Sequence, residues 1–261
     1  MDPIAFHVGN FAIYWYGILA ASGFGVGLWT ASRRASKLSS LPRDAIADLG
    51  PWLIVGGLVG ARLWFVISYW REDFAGRPLW EIFNVRGGGL VFYGGLVGAV
   101  LAGGFFARRR HLPLWDLGDV LAPGIALGHA FGRLGCFMNG CCFGGPTTLP
   151  WGVARPDAPA GQIVLVHPTQ LYEALMLLGL SAALAWHYRR RQFSGHTFAV
   201  YLIAYAVVRF VVEFLRGDYG DFRFAGLKPG QTFSVVILAA GVALYLTRRP
   251  KTPSAAPPPG P

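Results

Sequence analysis

The chain has 261 residues, of which 54% are hydrophobic and only 14% charged, and its formal net charge is +10. Soluble domains carry about a quarter charged residues, so this balance and a mean hydropathy of +0.44 exclude an ordinary soluble globule and indicate an integral membrane protein. The positive charge is no nucleic-acid footprint, because the basic residues sit in short clusters beside apolar spans, the pattern of cytoplasmic loops.

Taken in order, the first apolar run covers 11–31, and about 20 residues suffice to cross a bilayer core. It has no basic segment ahead of it, so no cleaved signal peptide is expected. Arg33, Arg34, Lys37 and Arg43 follow it, which puts that loop in the cytoplasm and the N-terminus outside. A second span, 48–70, returns outward with Arg62 in its outer half. In the mixed-charge loop that follows, 79–83 contains Trp80 and Phe83 and suits the membrane interface. The third span starts in Arg86-Gly87-Gly88-Gly89-Leu90-Val91-Phe92-Tyr93-Gly94-Gly95-Leu96 and stops at Arg108-Arg109-Arg110.

The fourth span, 115–137, delivers the stretch Gly128 to Gly144 to the outer side. A fifth runs from Leu171 to the cluster Arg189-Arg190-Arg191, and a sixth, 198–215, contains Arg209 and Glu213. The seventh, 233–246, ends at Arg248, Arg249 and Lys251. Every odd span ends at a basic cluster and every even one begins after one. The expected fold is therefore an all-α polytopic membrane protein with seven transmembrane helices, N-terminus outside and C-terminus cytoplasmic. Residues 1–250 form one integral membrane domain, and the Pro/Ala-rich tail 251–261 is expected to be disordered. No internal repeat is evident, against inverted-repeat transporters.

A helical rise of about 1.5 Å per residue turns that topology into depth. Tyr16 lies early in the first span, Arg62 late in the second, Tyr93 early in the third and Arg133 late in the fourth. His167 and Glu173 open the fifth; Arg209 and Glu213 come late in the sixth. All fall in the outer leaflet or at its surface. Arginine within a membrane span costs about 2.5–3.5 kcal/mol and normally faces a polar cavity or a partner. Guanidinium is the preferred bidentate phosphate ligand, and at that depth the phosphate belongs to a lipid headgroup. A phospholipid-handling site follows; a channel or transporter for a small anion is the alternative.

Blander readings stand beside these. Arg209 and Glu213, at i,i+4, also suit a structural salt bridge. Tyr16 also suits an interfacial aromatic belt, and His167 before Pro168 a simple helix start. Cys136, Cys141 and Cys142 make neither a disulfide framework nor a Cys-x-x-Cys zinc pattern. No resident metal and no cofactor are expected.

The run Gly132-Arg133-Leu134-Gly135-Cys136-Phe137-Met138-Asn139-Gly140-Cys141-Cys142-Phe143-Gly144 resembles the G-R-x-G-N-F-x-N-x-E-x-x-G motif of prolipoprotein diacylglyceryl transferases. Trp15-Tyr16-Gly17, Gly60-Ala61-Arg62, His167-Pro168-Thr169-Gln170-Leu171-Tyr172-Glu173, Arg209-Phe210-Val211-Val212-Glu213 and Gly230-Gln231 are similar to the family's other conserved stretches, in order along the chain. The resemblance implies a seven-helix bacterial inner-membrane enzyme catalysing the first step of lipoprotein maturation. It moves the diacylglyceryl group of phosphatidylglycerol to the lipobox cysteine of a prolipoprotein signal peptide; a thioether forms and glycerol 1-phosphate leaves. It further implies Arg133 and Arg209 on the phosphate, Glu213 orienting Arg209, and Tyr93 in catalysis. Tyr16, Arg62, Asn139, Gly144, His167 and Glu173 would line the substrate site. Three positions depart from the pattern: Tyr93 replaces the histidine of H-G-G-L, Cys136 the first Asn, and Cys141 the Glu. A phenol is a poor base at neutral pH, so the general base is unassigned, with His167 a substitute.

Overall fold

The computed structural model describes residues 3–39, 41–84, 88–155, 158, 162–217 and 226–250; the tail 251–261 expected to be disordered lies outside the described residues. The described residues are overwhelmingly helical. In order they form β1 (Ile4–Val8), β2 (Phe11–Tyr14), α1 (Trp15–Leu38), α2 (Arg43–Ser68), a π-helical turn (Trp70–Phe74), a 3-10 turn (Leu79–Phe83), α3 (Phe92–Arg109), α4 (Leu114–Met138), β3 (Val153–Ala154), β4 (Leu165–Val166), α5 (Thr169–Tyr188), α6 (His196–Leu215) and α7 (Pro229–Arg248). Four helical segments, Asp44–Ser68, Leu114–Met138, His196–Leu215 and Pro229–Arg248, are long and apolar enough to cross a membrane. Their exposed surfaces are apolar, as at Ile54, Val55, Val211 and Val236, which is what lipid contact demands.

The first helices differ from the sequence expectation at more than one boundary. α1 continues past 31 to Leu38, so Arg33, Arg34 and Lys37, expected in a loop, lie on its last turns, and Arg43 is the first residue of α2. Basic side chains can extend a helix beyond the apolar run by reaching out to water. Residues 11–14 do not begin the first helix; they pair antiparallel with β1, Val8 opposite Phe11. The cause is local: Gly9 takes a positive φ of 59°, and Gly9-Asn10 makes a two-residue hairpin turn between alternating apolar residues.

The chain divides into two compact units, Ser32–Leu117 and the remainder, Met1–Ala31 with Gly118–Pro261. In the smaller unit α2 and α3 run antiparallel on facing glycine stripes. A Cβ on Gly56 would stand 2.7 Å from the Gly98 carbonyl, and one on Gly60 would stand 2.8 Å from the Gly98 Cα. Only glycine permits that backbone approach, and close van der Waals packing is what joins helices where lipid removes the hydrophobic drive.

The larger unit repeats the device, with Gly27 of α1 against the carbonyl of Gly124 on α4 and Gly23 against that of Gly128. Asp119 on α4, fully buried, accepts the backbone N–H groups of Gly195 and Phe198, both at 2.8 Å. It thereby caps the N-terminus of α6 from another helix, satisfying donors that the helix cannot. Ser181 on α5 donates to the Pro123 carbonyl on α4 at 2.7 Å. These fastenings set α4, α5 and α6 side by side and bring their polar residues together.

Candidate functional site

Three helices of the larger unit meet at one carboxylate. Glu173, on the first turns of α5, is 2% exposed. Arg133 on α4 approaches its Oε2 through Nε at 3.0 Å, an ion pair without a well-aligned hydrogen bond. Arg209 on α6 donates to the same oxygen through Nη1 at 3.4 Å. The other terminal nitrogen of Arg209 reaches Glu213 Oε2 at 2.7 Å. Glu213, fully buried, accepts the Gly230 backbone N–H on Oε1 at 3.2 Å. Gly230 is obligatory there, because a Cβ would overlap the Glu213 carboxylate. Two cations, Arg209 buried and Arg133 partly so, and two buried anions thus form one chain across α4, α5 and α6. Desolvating four charges is expensive, and such clusters in membrane segments mark sites that handle charge.

Sequence reasoning missed two members. Nε2 of His129 lies 3.9 Å from Glu173 Oε1, and its ring packs on Tyr205 at 5.3 Å between centroids. His129 precedes Arg133 by four residues, so both share one helix face; that spacing was the available signal. Lys228, just before α7, donates to the carbonyls of Glu213 (3.0 Å) and Arg216 (2.8 Å). No spacing in the sequence links it to them.

The loop after α4 is held as firmly. Thr169 Oγ1 donates to the Cys142 carbonyl at 2.8 Å and Gln170 Nε2 to the Cys141 carbonyl at 2.6 Å. Gly144 is buried where three backbones cross: its N–H donates to the His167 carbonyl at 2.8 Å, and a Cβ would stand 2.7 Å from the Leu215 carbonyl. His167 does not begin a helix; it follows β4, and α5 starts at Thr169. Its Nδ1 lies 3.4 Å from the Tyr172 hydroxyl, which accepts from Trp151 Nε1 at 2.7 Å. Tyr16 is 45% exposed at the start of α1, and its ring covers Gly135. Asn139 is exposed, one residue past the end of α4.

The sequence spacing of the cysteines offered no metal pattern, but the fold gathers them. The sulfurs of Cys136, Cys141 and Cys142 all lie within 4.8 Å of one another.

Arg62 and Tyr93 belong to the smaller unit. Arg62 donates to four backbone carbonyls, those of Glu81 (2.8 Å), Ile82 (2.7 Å), Gly88 and Gly89 (both 3.1 Å). It ties the 3-10 turn to Gly88 and Gly89, just ahead of α3. Tyr93 stands 47% exposed on the first turn of α3.

A family model for prolipoprotein diacylglyceryl transferase matches residues 3–247. The chain belongs to that family. It is 38% identical over 258 residues to the phosphatidylglycerol–prolipoprotein diacylglyceryl transferase of Geobacillus kaustophilus, covering 96% of this chain and 94% of that protein. The like-named protein of Finegoldia magna is 36% identical over 247 residues, 94% of this chain and 95% of its own length. That of Synechococcus elongatus is 39% identical over 250 residues, 92% and 85% respectively. Membership in the prolipoprotein diacylglyceryl transferase family and the four membrane-length helices make this a multi-pass membrane transferase.

Proposed function

We propose that the protein transfers the diacylglyceryl group of phosphatidylglycerol to the lipobox cysteine thiol of prolipoproteins, releasing glycerol 1-phosphate. The observation that carries the residue assignment is the convergence of Arg133 and Arg209 on buried Glu173. Glu173 and Glu213 orient the two guanidiniums in advance, so no reorganisation is needed as charge builds on the departing phosphate. Arg133 and Arg209 bind that phosphate; Glu213 positions Arg209, and Glu173 positions both. Tyr93 donates a hydrogen bond to the headgroup. Tyr16, Asn139, Gly144 and His167 border the substrate path on the same end of α1, α4 and α5, and Arg62 supports the loop ahead of α3. The nucleophile is the substrate thiol.

The same reading makes residues 1–250 one catalytic membrane domain of seven spanning helices, N-terminus outside and C-terminus cytoplasmic. It resides in the bacterial inner membrane with its site toward the outer leaflet. The basic clusters Arg108–Arg110, Arg189–Arg191 and Arg248–Arg249 support this orientation. Anion transport finds no support in the family or in any named relative. Incubating purified protein with phosphatidylglycerol and a lipobox peptide tests the function. Mass spectrometry should find the peptide thiol carrying a diacylglyceryl group; an unmodified peptide under all conditions would refute it.

A further inference from the structure

The three cysteines carry chemistry that the arginine site does not use. Cys136 lies on the last turn of α4, three residues after Arg133 and so on the adjoining face. Cys141 and Cys142 come from the loop that follows, and the three sulfurs lie within 4.8 Å of one another. All three are free thiols, and none is sealed from solvent. The loop is preset: Cys142 holds a positive φ of 64°, a conformation that non-glycine residues keep only where surrounding contacts impose it. Thr169 and Gln170 impose it through the carbonyls of Cys142 and Cys141. Arg216 and Arg133 both act on the Cys142 sulfur electrostatically, each favouring negative charge there.

Three thiolates around one point are a soft-cation donor set. Zinc takes sulfur at about 2.3 Å in tetrahedral geometry, and sites with three protein ligands keep the fourth position open. Tetrahedral zinc at that distance needs sulfurs about 3.8 Å apart, a contraction within reach of small side-chain rotations. The complex would carry one net negative charge, which the neighbouring guanidiniums balance.

We propose that Cys136, Cys141 and Cys142 form a zinc-binding site whose open fourth position takes the substrate's cysteine thiol. The proposal rests on the transferase reading above and supplies what it lacks, a means of activating that thiol where Tyr93 replaces a histidine. The thiol binds by displacing water and loses its proton to solvent, as metal coordination deprotonates a thiol outright. Its sulfur lone pair forms the new bond to the glyceryl carbon while the bond from that carbon to the phosphate oxygen breaks. The electron pair leaves on the phosphate, near Arg133, as glycerol 1-phosphate. The thioether product is a neutral, poor ligand and gives way to water; zinc stays divalent throughout.

Cobalt(II) is the probe that tests the site apart from activity. The purified protein should bind one equivalent with thiolate-to-metal charge transfer and the intense visible bands of four-coordinate cobalt. Cys136→Ser, Cys141→Ser and Cys142→Ser should each weaken binding at least tenfold. A lipobox peptide should shift the visible bands, and the same peptide with serine in place of cysteine should not. Stripping the metal with a chelator should lower transfer at least a hundredfold, and zinc(II) should restore it. Failure to bind cobalt stoichiometrically would overturn the site. So would transfer that persists after the metal is stripped, which would leave the transferase reading standing. No transfer by zinc-loaded protein, with the peptide still shifting the cobalt bands, would support the thiol site and overturn the transferase reading.

Discussion

Replacing Arg133 with lysine separates a guanidinium fork from a mere positive charge. In the structure one edge of this side chain is committed: Nε sits 3.0 Å from Glu173 Oε2. On the function proposed above, its terminal nitrogens supply the contact to phosphate. A lysine ammonium has one centre and cannot hold Glu173 and grip a phosphate oxygen together. One hydrogen bond to a charged group is worth about 1.5–3 kcal/mol. At about 1.36 kcal/mol per decade of rate, Arg133→Lys should lower kcat/KM about 10- to 200-fold. The loss should fall on kcat more than on KM, because charge on the departing phosphate grows toward the transition state. Arg133→Ala loses both contacts and should be worse. The assay is the initial rate of peptide lipidation at several phosphatidylglycerol concentrations, alongside melting in detergent to establish that each variant is folded. A folded Arg133→Lys variant within a few-fold of the parent in kcat/KM would refute the bidentate role.

Tyr93→Phe should lower turnover by about 10²-fold with an unchanged pH–rate profile if its hydroxyl donates to the headgroup; full activity would remove Tyr93 from the site. Asp119→Ala strands the N–H groups of Gly195 and Phe198, at about 1–3 kcal/mol for each unsatisfied buried group. It should lower the melting temperature clearly, and an unchanged melt would show that the cap contributes nothing. Gly230→Ala drives a methyl into the Glu213 carboxylate, at about 1–3 kcal/mol of overpacking, and should reduce transfer by displacing the partner of Arg209. Retained stability and activity together would argue against that coupling.

Much of this protein was legible in the sequence, because the bilayer is a strong and local constraint. A span must be apolar over about 20 residues whatever packs on it, so composition and the arginine clusters defined its class and its helices. The pairing of Arg209 with Glu213 was legible too, since residues four apart on a helix are neighbours by geometry alone.

Tertiary structure decided the rest, wherever partners are distant in the chain. That Glu173 joins Arg133 to Arg209 depends on α4 being fastened to both α5 and α6, which Ser181 and Asp119 arrange. Arg62, alike in sequence to the other two arginines, spends its donors on carbonyls 19 to 27 residues away. Residues 11–14 are a separate case: the Gly9-Asn10 turn that pairs them with β1 is local and was there in the sequence, but hydropathy alone does not register a hairpin. The cysteines show the limit most clearly. Their linear spacing fits no ligand pattern, yet the end of α4 and a left-handed Cys142 fold the three sulfurs into one cluster. Ligand geometry is a property of positions in space, and a loop's path is set by the side chains that grip its carbonyls.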